Sequence, residues 1–431
     1  MKTIVLSLAL VAAVAAPGVA APPEKNYTVH EWGTFTSVQG GDGQLLRWQP
    51  LKSSELPGFV HDWSKPGLNV LPQYLTPGGK GGLVTLQRME TPVIYFYSDK
   101  AMTAEVSVAF PKGILTEWYP RPNQIGPAQI SRVGLPPDFP PVDEAASLTE
   151  SRVTWRNLTL TPPAQATFAD QLPVDAHGRN YFAARETGSD YVQIDPAGGT
   201  NETEKFLFYR GAGSFATPLQ VAVDGNRLAL SNHGTEPLKH LLVLRVRDGY
   251  GEFATLASLP PGQTNWLADG IGSINPGWQR LPLAQCQEAV GAQMAAGLVS
   301  AGLYKKEARA MVNTWRDSWF TEDGMRVLYL LPRTWTDGTL PLTLTPEPAH
   351  LVRVMVGRAE IITPEVQDQL LALLTRATSG DAAAREQAGL AVKKLGRFAM
   401  PTLTLAFNND YTNAVAELGG RLLMEAKYPP H

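Results

Sequence analysis

The sequence predicts an α+β protein. Mainly antiparallel, β-sandwich-like structure comes first, then a helical hairpin and a C-terminal α-helical cap. Three observations predict this. Short β-type runs bounded by Gly, Pro and Asp recur between residues 27 and 246. Near residue 282 the apolar spacing changes from alternation to the helical period. At Thr363-Pro364 a capping residue precedes proline at a first helical position, and helical patterning follows. The expected divisions are 1–20, a signal peptide; 21–281, β-rich; 282–362, a helical hairpin plus strands packed on the sheet; and 363–431, the helical cap.

Residues 1–20 have the form of a secretory signal. Lys2 supplies the positive start, Ile4 to Ala16 the apolar stretch, and Gly18-Val19-Ala20 the small residues of a cleavage site. The apolar stretch is too short to span a bilayer, and no later run reaches about 18 residues, so no integral membrane segment is expected after cleavage. Cys286 is the only cysteine, which excludes an internal disulfide and favours a bacterial periplasmic or secreted setting. Lys plus Arg number 37 against 40 Asp plus Glu, a balance with no electrostatic footprint for nucleic acid.

The first strand is expected at 27–38. Alternation places Tyr27, Val29, Glu31, Gly33 and Phe35 on one face and His30, Trp32, Thr34 and Thr36 on the other. The Gly40-Gly41-Asp42-Gly43 turn predicts a hairpin with Leu45 to Trp48. Residues 50–82 look loop-like, and Gly78 to Gly82 lacks the spacing of a phosphate loop. Val93–Tyr97, Ala104–Phe110 and Ile114–Tyr119 predict a three-stranded meander. After a Pro-rich stretch at 120–150, strands are expected at 153–160, 181–184, 191–194, 205–210, 219–223, 228–231 and 241–246, with the apolar 205–210 run central.

Leu283 to Leu298 places Cys286, Val290, Met294 and Leu298 on one helical stripe, so Cys286 is expected as a buried small hydrophobe. Tyr304 to Phe320 gives the second helix of the hairpin. Strands are expected at 326–331, 340–344 and 351–356, with Leu331 to Asp337 as a polar, aromatic binding loop or an Arg333–Asp337 turn. Helices at 365–377, 382–395, 399–408 and 412–426 complete the chain.

The chemistry centres on Val29 to Thr36. Glu31 lies on an otherwise apolar face, where a carboxylate needs a partner or a raised pKa. Glu117-Trp118 echoes Glu31-Trp32 at the end of another strand. A glycosidase uses two carboxyls about 5 to 9.5 Å apart. The candidate catalytic set is therefore Glu31 and Glu117, with His30 as proton partner, and the candidate ligand-binding set is Trp32, Trp118 and Arg333. The structural alternative for Glu31 is a tie to an arginine or to backbone amides. No His-x-His or His-Glu-x-x-His pattern occurs; His30, His61 and Glu117 can form a metal site only by meeting in space, and no metal or cofactor is assigned.

The stretches His30-Glu31-Trp32-Gly33-Thr34-Phe35-Thr36, Met89 to Ser98, Phe206 to Gly213 and Thr314 to Phe320 resemble those of a family of exported bacterial proteins. The resemblance spans most of the mature chain and carries over no functional residue. Ala384 to Leu403 resembles one HEAT-type helical repeat, which implies a cap or partner-binding appendage. The expectation is an exported β-rich protein binding an envelope or extracellular ligand or partner, with a carboxylate-dependent polysaccharide hydrolase as the alternative.

Overall fold

Strand β1 (Glu24–Gly40) lies in the middle of a ten-stranded sheet. Residues of both its faces are buried, so neither side needs water. It runs parallel to β19 (Pro348–Ile362) and antiparallel to β3 (Gln87–Ser98). The computed structural model describes residues 24–51, 56–62, 83–125, 151–176, 178–194, 201–225, 227–268, 277–407 and 411–426. The expected signal peptide, the glycine run at 78–82 and most of the 120–150 stretch lie outside these residues.

Beyond β19 the sheet continues through β17 (Gly324–Leu330), β13 (Leu238–Arg247), β14 (Tyr250–Leu259) and β16 (Gln279–Pro282). Beyond β3 it continues through β10 (Leu207–Gly213), β5 (Gly113–Tyr119) and β2 (His61–Asp62). A second sheet orders β18 (Leu342–Thr345), β4 (Met102–Phe110), β7 (Ser151–Thr161), β8 (Tyr191–Ile194) and β9 (Glu202–Glu204), with β6 (Gln124–Ile125) also on β7. A third sheet joins β11 (Leu219–Asp224), β12 (Arg227–Asn232) and β15 (Thr264–Ala268).

The layers follow from which faces are apolar. One face of the large sheet, with Val29, Phe35, Ile94 and Tyr209, packs on Val106, Phe110 and Trp155 of the second sheet and Val221 and Leu230 of the third. That is a β-sandwich. The opposite face, with Trp32, Val93, Phe208 and Leu328, packs on helices α2 (Leu283–Ser300) and α3 (Lys305–Phe320) through Val290, Met294, Met311 and Trp319. Cys286 is buried on that helical stripe, and burial pushes its thiol up to about 11. Short helices α1 (Arg179–Ala183) and α4 (Arg333–Thr339) lie in connections. The C-terminal helical region comprises α5 (Pro364–Thr378), α6 (Ala382–Leu395), α7 (Ala399–Ala406) and α8 (Asn413–Glu425), around its own core of Leu370, Leu374, Val392, Leu403 and Leu418. Thr363 caps α5 through the backbone N–H of Val366.

Several local expectations are corrected. The meander is not formed: β10 inserts between β3 and β5, and β4 leaves for the second sheet. The reason is visible in burial. Strand β3 is buried on both faces up to Phe96, whereas β4 alternates buried Ala104, Val106, Val108 and Phe110 with exposed Thr103 and Glu105, the pattern of a strand with one wet face. The hairpin after Gly40 is reduced to single bridges, Gln39 with Leu45 and Trp48 with Thr85. Residues 181–183 are helical rather than extended, and Leu331 to Asp337 leads into α4 rather than forming a loop. Finally, the change of pattern at 282 does not divide the sheet, because β17 pairs with β13 and β19 with β1 across it.

Candidate functional site at the His30–Glu307 pair

Alternation along β1 sends His30 to the helical face, with Val352 and Tyr95 beside it on the neighbouring strands. There it meets the first turn of α3. His30 Nδ1 lies 2.7 Å from Glu307 Oε2, and the same oxygen accepts the backbone N–H of Tyr304 at 2.7 Å. Tyr97 on β3 donates its hydroxyl to Glu307 Oε1 at 2.6 Å. Burial, then the Glu307 charge and hydrogen bond, push the Tyr97 phenol well above its usual range, so it stays a donor.

Glu307 is thus the third residue of a capping arrangement that also gathers two buried side chains from the sheet. Because Glu307 accepts at both oxygens, the His30 proton belongs on Nδ1. The other ring nitrogen, Nε2, has no hydrogen-bond partner among the described residues. Tyr304 lies over the imidazole with ring centroids 4.4 Å apart, and Tyr97 meets it edge-on at 5.5 Å. His30 is 2% exposed and Tyr304 49%, so the tyrosine stands between the imidazole and solvent. A histidine oriented by a carboxylate, with its second nitrogen uncommitted, can accept a proton or a hydrogen bond from a ligand.

The other residues singled out in the sequence do not join this site. Glu31 faces the sandwich side of the sheet. It accepts the Tyr209 hydroxyl at 2.5 Å and Arg353 Nε at 2.5 Å. Arg353 also reaches Asp337, which Arg333 holds through its Nε at 2.8 Å to each oxygen. Arg333 is therefore tied at the base of its own helix, and its Nη1 donates to the Leu351 carbonyl.

Glu117 lies on β5, with β3 and β10 between it and β1, about 14 Å away by strand spacing. The register that places Trp118 opposite Tyr209 puts Glu117 opposite Arg210, on the helical face, away from Glu31. The two carboxyls therefore do not form the pair that a glycosidase needs. Trp32 and Trp118 are both buried, on opposite faces, and neither offers a platform for a sugar ring. His61 bonds Glu202 at 2.7 Å and does not assemble with His30 and Glu117. Among the described residues no group of three or more His, Cys, Asp and Glu is placed to hold a metal ion.

A second polar cluster occupies the helical face at the far end of β1. It contains Arg88, Glu90, Glu117, Arg210, Arg326, Arg358, Glu360, Glu322 and Arg397. Arg326 and Arg358 share Glu360 at 3.0 and 2.8 Å, and Arg358 also reaches Glu322 at 2.6 Å. Arg397, from the turn between α6 and α7, inserts to donate to Glu90 at 2.8 Å. Burial alone pushes the Glu90 and Glu322 carboxyls up; the surrounding arginines, Arg397 foremost, outweigh it and hold both down at about 2. These contacts fasten the C-terminal helical region to the sheet.

Sequence reasoning found His30 but not its partner. Glu307, Tyr97 and Tyr304 carried no conspicuous signal, apart from the three-residue spacing of Tyr304 and Glu307 at a helix start. No protein-family model matches the chain, and no curated protein matches it.

Proposed function

We propose that this chain is an exported protein that binds an envelope or extracellular ligand, with His30 Nε2 as the central polar contact and Tyr304 as the covering side chain. One observation supports the reading: His30 spends Nδ1 on buried Glu307, while its Nε2, beneath a half-exposed aromatic ring, has no hydrogen-bond partner among the described residues. The pair also suits proton transfer, but a ligand that reaches Nε2 is the first requirement of either role.

The test is acylation of His30 by diethylpyrocarbonate, followed by peptide mass spectrometry. Tyr304→Ala is expected to raise the rate at His30 about tenfold, with exposed His233 as internal reference. Native mass spectrometry of the protein recovered from the exporting cell is expected to show a co-purifying small molecule that His30→Gln loses. A His30 that stays inert in both proteins would defeat the proposal.

A further inference from the structure

A cavity of about 290 Å³ lies where the C-terminal helical region meets the end of the large sheet. It is about 30 Å along β19 from the His30 site, counting nine residues from Val352 to Ile361. Its wall is apolar: Met325 and Ile361 from the sheet, Val366, Leu370 and Leu373 from α5, and Phe398 beyond α6. Three polar groups that reach it have partners of their own, with Arg245 facing Glu252 at 3.7 Å. Glu360 is held by Arg326 and Arg358, and the Thr402 hydroxyl donates to the Phe398 carbonyl.

Two ion pairs cross its rim, each joining sheet side to helical side. Arg247 of β13 meets Glu365 of α5 at 2.8 Å, and Lys394 of α6 meets Asp323 just before β17. The cation side chains are 48% and 58% exposed, so these are weak, screened pairs that another carboxylate can replace.

Size and shape narrow the occupant. An apolar cavity of about 150 Å³ holds benzene, so twice that volume suits roughly a dozen non-hydrogen atoms. Val366, Leu370 and Leu373 form one stripe of α5 about 10 Å long, which favours a chain over a fused ring. A charged group inside would be stranded, whereas one at the rim meets Arg247 and Lys394. We infer that this cavity takes the tail of a medium-chain fatty acid of about ten carbons, with its carboxylate at Arg247 and Lys394.

Calorimetric titration of the full-length, delipidated protein with decanoate tests this. Saturable one-to-one binding is expected. Ala391→Trp, which fills the cavity, is expected to weaken it at least tenfold. Leu373→Phe is the milder filling variant and decides the matter if the tryptophan protein does not fold, as judged by circular dichroism. The double variant Arg247→Ala/Lys394→Ala is expected to weaken decanoate but leave decan-1-ol unchanged. No saturable binding to the wild-type protein, or unchanged binding in the folded filling variants, would overturn the site. Equal affinity for decan-1-ol and decanoate would overturn the carboxylate assignment.

Discussion

At the scale of single residues, the chain gives two buried acidic side chains different surroundings. Glu31 is enclosed by Tyr209 and Arg353, while Glu307 gathers His30, Tyr97 and the Tyr304 amide. The first arrangement is closed; the second leaves His30 Nε2 without a hydrogen-bond partner among the described residues. Replacing Glu31 with Gln strands a buried guanidinium beside Tyr209. Loss of one partner from such a pair costs about 3–5 kcal/mol. Urea unfolding of Glu31→Gln is expected to show a loss of about 3 kcal/mol, softened because Arg353 retains Asp337. A loss below about 1 kcal/mol would mean that the pair is not buried as described. The sequence made the unusual position of Glu31 legible through strict alternation. It left Glu307 obscure because that partner lies 277 residues from His30, and no local pattern encodes such a meeting.

Among elements, the helices and most strands were legible because each carries its own period. The 283–300 and 305–320 helices show their stripes, and the C-terminal helices their caps and breaks. Strand order was not legible, since pairing depends on partners far along the chain. The placement of β4 in the outer sheet was nonetheless implicit in the single-sided alternation of Ala104 to Phe110. Docking of α2 depends on an absent side chain. A Cβ on Gly251 would fall 2.2 Å from Cys286 Sγ and 2.7 Å from its Cβ. Gly251→Ala must therefore lift the start of α2 from β14, at a cost of about 1–3 kcal/mol. The buried thiol reports the change: Cys286 is expected to react slowly with an aromatic disulfide reagent in the native protein and several-fold faster in the variant. Equal rates would show that the helix does not rest on Gly251.

Taken as a whole, the molecule is held together by a buried field of arginines and carboxylates between the sheet, α3 and the C-terminal helical region. Its pH dependence follows from Glu90 and Glu322. Both titrate at about 2 when folded, below the ordinary value near 4.3. Their contribution to stability is fully present above about pH 5 and is lost as pH falls toward 2. Each carries on the order of 3 kcal/mol by linkage, and together less than the sum because both depend on Arg397. Arg397→Met is expected to flatten the acid limb of the stability profile and to expose the 396–398 turn to limited proteolysis. An unchanged acid limb would locate the acid sensitivity elsewhere.

The parallel pairing of β1 with β19 bears on how the chain is made. Fourteen residues of β1 have register partners in β19. From the end of β1 at residue 40 to the start of β19 at residue 348 is 308 residues. At about 5–20 residues per second, synthesis separates the two strands by roughly 15–60 s. During that interval a strand that ends up buried on both faces has one neighbour at most and an unpaired edge that invites other chains. Co-translational folding therefore cannot complete the central sheet until residue 348 and those after it have been made.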